Sequence, residues 1–169
     1  CSAGYFRRNS DDTIDWARMN MANPWRVSNI GTVETNGAEA SIEITPRKVE
    51  SAFPIDRFFL NYTALDSYRK HDYLSKYALD YLKQQISAGI DYSLFGFKNS
   101  WVLNYKKRVG DMSSSVVVDT KLIKGIIKKE RLTFEAFLEI TNLFDEDCSE
   151  QSGIPMPGRW LKSGVRLEF

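Results

Sequence analysis

The sequence predicts an all-β fold, an antiparallel up-and-down meander of about nine strands. Several segments alternate apolar and polar residues strictly, which is the two-residue period of an extended strand. Polar clusters containing Asn, Asp, Gly or Pro separate these segments at short intervals. Several segments are also longer than the usual strand of about 5–6 residues in a soluble protein. A sheet of long, two-faced strands is therefore expected.

Five strands are predicted in the first part of the chain, over residues 1–9, 13–18, 25–45, 55–66 and 73–94. The third segment contains Asn36-Gly37, a pair that fits either a hairpin or a bulge within one continuous strand. The fifth segment begins with spacings that also suit a helix over residues 74–82. The plain alternation from Gln85 to Leu94 favours a strand throughout.

Four more strands are predicted over residues 100–106, 116–128, 134–141 and 161–169. The second of these also has helical spacings over residues 122–127. The last two form a hairpin closed by a long polar loop. On its first strand Phe134 and Leu138 alternate with Glu135 and Glu139, and the second strand alternates in the same way up to the final residue.

The connections between the predicted strands alternate in length. Short turns are expected near Asp11, Phe97 and Glu130, and longer loops at 20–25, 67–72, 109–115 and 144–158, with 46–54 as an exception. Outer-membrane barrels show this sorting of short turns and long loops, and soluble sandwiches do not usually show it. Strand alternation alone fits both classes, because the apolar face would meet lipid in a barrel and a second sheet in a sandwich.

Composition and motifs exclude several classes of function. The net charge is +1 with no basic stripe, so no nucleic-acid partner is predicted. His71 is the only histidine and no nucleophile pattern lies beside it. The carboxylates at 11–12 and 145–147 lack the ligand spacing of a calcium loop. The sequence therefore predicts no enzyme, no catalytic residue, no metal site and no cofactor.

Three groups of residues leave alternatives open. Cys1 and Cys148 could form a disulfide or remain two unrelated thiols. Aromatic residues expected near strand ends would form either a membrane girdle or a sandwich core; they are Trp16, Trp25, Trp101, Tyr105 and Trp160. Charged residues on the polar face of the last hairpin are expected to pair across strands; they are Glu135, Glu139, Lys162, Arg166 and Glu168.

The end of the chain carries a motif in two parts. The first part is Asn142, Leu143, Phe144 and Asp145, and the second ends in Pro157, Gly158 and Arg159, followed by an alternating strand that ends in Phe169. This pattern resembles the C-terminal hairpin of TonB-dependent outer-membrane receptors. A second segment, from Trp25 through Gly31 to Gly37-Ala38-Glu39, is similar to another strand of those barrels, and its Trp to the cobalamin-receptor branch.

The resemblance implies that residues 1–169 are the C-terminal portion of such a receptor, whose barrel of 22 strands surrounds a plug domain in the family. The plug and the N-terminal strands would be absent from this chain. The implied location is the bacterial outer membrane, and the implied function is TonB-dependent uptake of a scarce nutrient such as a siderophore or cobalamin. The implied partners are outer-membrane lipid, the TonB complex through the missing plug, and a small-molecule ligand whose contact residues are not assigned.

The resemblance also assigns an outer-membrane assembly signal, recognised by the barrel-assembly machinery, to Ser163, Val165, Leu167 and Phe169. Two alternatives stand beside this interpretation: a self-contained small outer-membrane barrel and a soluble β-sandwich binding module. All three hypotheses share the all-β fold, and they differ in what covers the apolar face.

Overall fold

The computed structural model describes residues 1–46, 54–69, 74–78, 81–109, 114–129, 132–151 and 154–169. The strands are β1 Ser2–Ser10, β2 Ile14–Arg18, β3 Arg26–Asn29, β4 Val33–Ile44, β5 Ile55–Arg69, β6 Leu74–Ser75, β7 Leu82–Leu94, β8 Phe97–Arg108, β9 Ser115–Lys129, β10 Leu132–Thr141, β11 Ser149–Gln151, β12 Ile154–Pro155 and β13 Trp160–Glu168. Within the described ranges, no helical segment could traverse a lipid bilayer. The all-β prediction is confirmed.

Eight strands form the main sheet in the order β1-β4-β5-β7-β8-β9-β10-β13. Apart from the strands set aside in smaller sheets, each strand lies next to its neighbour in the chain, as in a meander. A three-stranded sheet, β3-β2-β6, and a two-stranded sheet, β11-β12, complete the described topology. The expectation of about nine strands in one meander is therefore wrong, because β2 and β3 leave the main sheet and the long loops contain short strands of their own.

Two segments predicted as continuous strands are interrupted. The segment 25–45 is divided into β3 and β4 at Gly31, which has φ of 80° and whose amide donates to Asn29 Oδ1 at 2.8 Å. A positive φ suits glycine and turns the chain, so β3 pairs back onto β2. The segment 73–94 is divided into β6 and β7. The segment 116–128 is a strand, and its helical alternative is wrong.

The predicted tight turn near Phe97 is present one residue earlier. Phe95 and Gly96 connect β7 to β8 with φ values of 52° and 74°. Two positive φ values are typical of the type I′ hairpin turn, whose twist matches that of the flanking strands. The predicted turns at 46–54 and near Glu130 fall largely or wholly outside the described residues, as does His71.

The chain divides into two compact units. Unit 1 comprises Cys1–Ala40, Tyr62–Gln85 and Lys106–Ser114, and unit 2 comprises Ser41–Asn61, Ile86–Tyr105 and Ser115–Phe169. Unit 1 has a small core in which Ala17, Ile30 and Val33 are buried and Ala78 packs against them. Among the described residues of unit 2, no apolar side chain is buried to this degree. Unit 2 is thus a sheet without an apolar core of its own in the part described.

Candidate functional site

The C-terminal hairpin pairs apolar residues with apolar residues. Phe134 lies opposite Leu167 and Ile140 opposite Leu161 in the register of β10 and β13. Directly opposite residues of an antiparallel pair lie on the same side of the sheet. We call this side of unit 2 the apolar face; its described members on β9, β10 and β13 include Leu122, Ile127, Phe134, Ala136, Leu138, Ile140, Leu161, Val165 and Leu167. The predicted alternation is confirmed, because apolar residues of neighbouring strands lie opposite one another.

The apolar face is open to the surroundings. Leu161, Val165 and Leu167 are 69%, 66% and 56% exposed, and Leu138 in the middle of β10 is 40% exposed. Burying a large aliphatic side chain is worth about 1.5–3 kcal/mol. Contiguous exposed apolar surface of this kind marks contact with a partner molecule or a membrane.

The opposite side of unit 2, which we call the polar face, carries paired charges. Glu139 on β10 contacts Lys121 on β9 at 3.2 Å and Lys162 on β13 at 3.1 Å. Glu135 contacts Lys98 on β8 at 3.5 Å. The pairing between Lys98 and Glu135 spans β9 at the point where Gly125, which has no side chain, lies opposite Glu135. The prediction of cross-strand pairing is confirmed for Glu135, Glu139 and Lys162.

Arg166 and Glu168 do not form the expected cross-strand pairs and contact each other instead. Arg166 lies opposite Glu135 in the register, but its guanidinium contacts Glu168 on its own strand at 2.6 Å.

Phe137 lies opposite Gly164 on the polar face, and its ring occupies the space of a Cβ at position 164. The ring would lie 2.8 Å from that Cβ. An aromatic ring laid over a cross-strand glycine covers the exposed backbone there.

The loop between β10 and β13 is organised by Asn142, which is buried. Its amide N–H donates to Asp119 Oδ1 at 2.8 Å. Its side chain accepts from Glu146 N at 2.9 Å and donates to Glu146 O at 2.9 Å. Asn142 has φ of 52°, a left-handed conformation that asparagine tolerates better than most residues. One side chain therefore closes the turn that starts the loop.

The second part of the motif folds back onto the first. Arg159 donates from its backbone N to Asp145 Oδ1 at 2.6 Å and from its guanidinium to Leu143 O at 3.3 Å. A Cβ at Gly158 would lie 2.7 Å from Asp145 Oδ1, so only glycine fits there without displacement. Pro157 O accepts from Asn142 Nδ2 at 3.5 Å. The structure thus brings the two parts of the motif together, except that the Phe144 side chain is 71% exposed.

The residues predicted as an assembly signal lie on the last strand. Ser163, Val165 and Leu167 lie opposite Leu138, Ala136 and Phe134 and so share the apolar face. Phe169 follows the strand and is 98% exposed. In the described topology β13 pairs on one side only, with β10. An edge strand of this kind presents unpaired backbone groups to another sheet.

The five aromatic residues predicted near strand ends do not all belong to the main sheet. Trp16 is in β2 and Trp25 immediately precedes β3, so both lie outside the main sheet. Trp160 begins β13 but lies opposite Thr141, which is on the polar face. The sequence could not separate these positions, because the same alternation continues in strands of both sheets.

A buried carboxylate in unit 1 was not singled out by the sequence. Asp15 on β2 accepts hydrogen bonds from the Ser75 hydroxyl at 2.5 Å and from the amides of Ala78 at 2.9 Å, Tyr77 at 3.2 Å and Trp16 at 2.7 Å. Burial acts to raise the pKa of Asp15, but these hydrogen bonds outweigh it and hold the pKa below the usual value. Asp15 therefore fastens the β2-β3 hairpin to residues 75–78.

An open pocket of about 610 Å³ adjoins this carboxylate. It is lined by Ile14, Asp15, Trp16, Val27, Tyr77 and Ala78. Trp16 and Tyr77 are 45% and 50% exposed, which leaves their rings available to solvent. Four protein groups donate hydrogen bonds to Asp15, so the carboxylate acts as a structural anchor at the pocket wall.

We expect the β2-β3-β6 sheet to loosen in acid. Because the folded pKa of Asp15 is lower than the unfolded one, its contribution is complete above the unfolded value of about 4 and is lost as pH falls through the folded value. Protease cleavage near Ser75 between pH 6 and pH 2 would measure this, using an acid-stable protease. The Asp15→Asn variant should be cleaved readily at every pH. If its cleavage depends on pH as that of the wild type does, the Asp15 carboxylate is not what holds the sheet.

Cys1 and Cys148 are not joined to each other in a disulfide, so the disulfide alternative is wrong. Within the described ranges, no group of three or more His, Cys, Asp or Glu residues is arranged to hold a metal ion. Asp145, in one of the two carboxylate clusters, instead accepts the hydrogen bond from Arg159.

These observations define the class as an antiparallel β-sheet protein with an exposed apolar face and a paired polar face. No protein-family model matches the chain, and no curated protein matches it.

Proposed function

We propose that this chain is the C-terminal wall of a TonB-dependent outer-membrane receptor, with the apolar face of unit 2 against lipid and the polar face toward a watery interior. The observation that carries the proposal is the contrast between the two faces. Leu161, Val165 and Leu167 are exposed on one face, while Glu139 is paired with two lysines on the other. A membrane strand requires this division, because an unpaired charge facing lipid is costly.

The soluble sandwich is the less favoured alternative. A sandwich buries the apolar faces of two sheets against each other. Among the described residues, unit 2 has no buried apolar side chain and unit 1 has only Ala17, Ile30 and Val33. The apolar face would then be covered by another molecule or by lipid. The long strands favour lipid, because a strand of about 9–11 residues crosses a bilayer at a tilt.

A self-contained small barrel is the second candidate, and one observation favours it. The main sheet has eight strands, an even number that suffices for the smallest outer-membrane barrels. In the described topology β1 pairs only with β4 and β13 only with β10. Two edge strands fit a wall that continues into further strands, as in the larger receptor.

The proposed activity is the uptake of a scarce nutrient, such as a siderophore or cobalamin, by the complete receptor. In that assembly this chain supplies wall and loops, and the energy from TonB acts through a plug that lies elsewhere. The two-part motif from Asn142 to Arg159 supports the proposal, because its members make one hydrogen-bonded loop in the hairpin where the family carries it. The chain alone is not expected to transport.

Membrane fractionation tests the proposal. The chain, expressed with a secretion signal in a Gram-negative host, should sediment with the outer membrane and require detergent for extraction. A periplasmic marker protein and an integral outer-membrane protein serve as controls in the same cells. A chain that stays in the aqueous phase as a monodisperse monomer without detergent would contradict both membrane hypotheses and leave the sandwich.

A further inference from the structure

We propose that Lys124 and Lys129 on β9 bind phosphates of anionic glycerophospholipids whose acyl chains lie on the apolar face. This inference rests on the proposed function, since it needs that face to meet a bilayer. It goes further by assigning a specific lipid chemistry to one end of the sheet of unit 2.

The position of Lys124 is unusual for a charged residue. It lies opposite Ala136 and is therefore on the apolar face, two residues along β9 from Leu122. Its Nζ donates to Phe95 O at 3.3 Å and lies 4.2 Å from the centre of the Phe97 ring. Long basic side chains on an apolar surface extend in this way toward the nearest polar boundary.

The tight turn fixes the end of this side chain. A Cβ added at Gly96 would lie 3.1 Å from Lys124 Nζ, so the amine is seated directly against the turn. The carbonyl of Phe95 uses one of the three N–H donors of the ammonium group. The other two N–H donors of Lys124 can bind an anion beside the turn, because the fold already holds the positive charge there.

A second cation lies on the same face. The register shifts by one residue between Phe134 and Glu135, and this bulge brings Ile127 and Lys129 onto the apolar face. Lys129 is exposed and lies opposite Leu132. Without the shift, alternation from Lys124 would have placed Lys128 on this face.

Aromatic and aliphatic residues surround the two lysines. Phe95 is 87% exposed and Ile127 39% exposed, and Phe134 lies opposite Ile127. No acidic side chain occurs among these described residues of the apolar face near the tight turn. Aromatic rings together with lysines are typical of the membrane–water interface, and basic residues there attract anionic headgroups. The combination fits a lipid phosphate above acyl chains better than it fits a soluble anion.

Lipid competition tests the assignment with variants of one strand. The full chain would be inserted into phosphatidylcholine vesicles, alone or with a minor fraction of spin-labelled phosphatidylglycerol, and the immobilised fraction of the label measured. Wild type should prefer phosphatidylglycerol, and Lys124→Gln with Lys129→Gln should lower that preference by about fivefold per lysine. Lys124→Arg with Lys129→Arg should restore it.

Lys128→Gln is the matched control, because Lys128 lies opposite Thr133 on the polar face. It removes one charge from the same strand and should leave the lipid preference unchanged, whereas removing each lysine of the apolar face should lower it. If Lys128→Gln lowers the preference as much as the double variant, the attraction is diffuse and the proposal is overturned. If the chain inserts into vesicles but shows no preference for phosphatidylglycerol, the lipid proposal is overturned and the proposed function stands. If the chain does not insert at all, the proposed function is overturned instead.

Discussion

Leu122→Arg is expected to destabilise the membrane-inserted chain by about 1–3 kcal/mol, since the cost of an arginine facing lipid rises from about 0–1 kcal/mol near the interface to about 2–4 kcal/mol at the midplane. Leu122 lies opposite Leu138 on the apolar face. Ile123, the next residue, lies opposite Phe137 on the polar face and is also an aliphatic side chain of intermediate exposure. Ile123→Arg should cost far less, because the guanidinium would meet water on the polar face and join its network of paired charges.

Urea unfolding in phosphatidylcholine vesicles, followed by tryptophan fluorescence, would measure both variants. The pair is matched in strand, depth and side-chain chemistry, so the difference between the two free energies of unfolding isolates the environment of each face. Equal losses, or a larger loss for Ile123→Arg, would mean that the apolar face does not contact hydrocarbon. A loss for Leu122→Arg that persists in water without lipid or detergent would instead indicate a protein layer over that face.

The faces of the sheet could be predicted because alternation is a local property. The side of the sheet on which Phe134, Leu138 and Val165 lie follows from the alternation of their own strands. The register of β10 and β13 then places the two apolar patterns opposite each other. The bulge near Phe134 could not be predicted, since a shift of one residue changes which lysine of β9 joins the apolar face without altering composition. The lipid site proposed here depends on that shift.

The small sheet of unit 1 was beyond the sequence for a different reason. Ile14 and Trp16 alternate with Asp15 in β2, so periodicity gave no reason to separate it from the main sheet. Its placement depends on Asp15, whose partners Ser75, Tyr77 and Ala78 lie 60, 62 and 63 residues further along the chain. A single aspartate in a strand carries no sequence signal for such distant partners.

The motif at the end of the chain was visible in the sequence, but the contacts among its members were not. A pattern of asparagine, aspartate, proline and glycine predicts turns. It does not show that Asn142 bonds Glu146 through both ends of its amide, or that Gly158 is needed because Asp145 occupies the space beside it. These contacts give the motif a structural role that can be separated from any contact with a ligand.

Asn142→Ala should destabilise the loop between β10 and β13 by about 2–4 kcal/mol. The variant loses both amide hydrogen bonds to Glu146 in a buried position, where an unpaired polar group costs about 1–3 kcal/mol. It also places alanine at φ of 52°, a left-handed conformation that costs a residue with a Cβ about 1–2 kcal/mol. Hydrogen exchange at the Glu146 amide, which donates to Asn142 Oδ1, would measure the loss directly.

Asn142→Gly separates the two causes. Glycine accepts the left-handed conformation but cannot make the amide bonds, so its loss should be smaller than that of alanine by about 1 kcal/mol. Phe144→Ala is the control within the motif and should be nearly neutral for stability, because the Phe144 side chain is exposed. If Glu146 remains protected in Asn142→Gly, the side-chain hydrogen bonds do not hold the loop. If Phe144→Ala unfolds it, the motif is secured by packing against a surface that the chain itself does not provide.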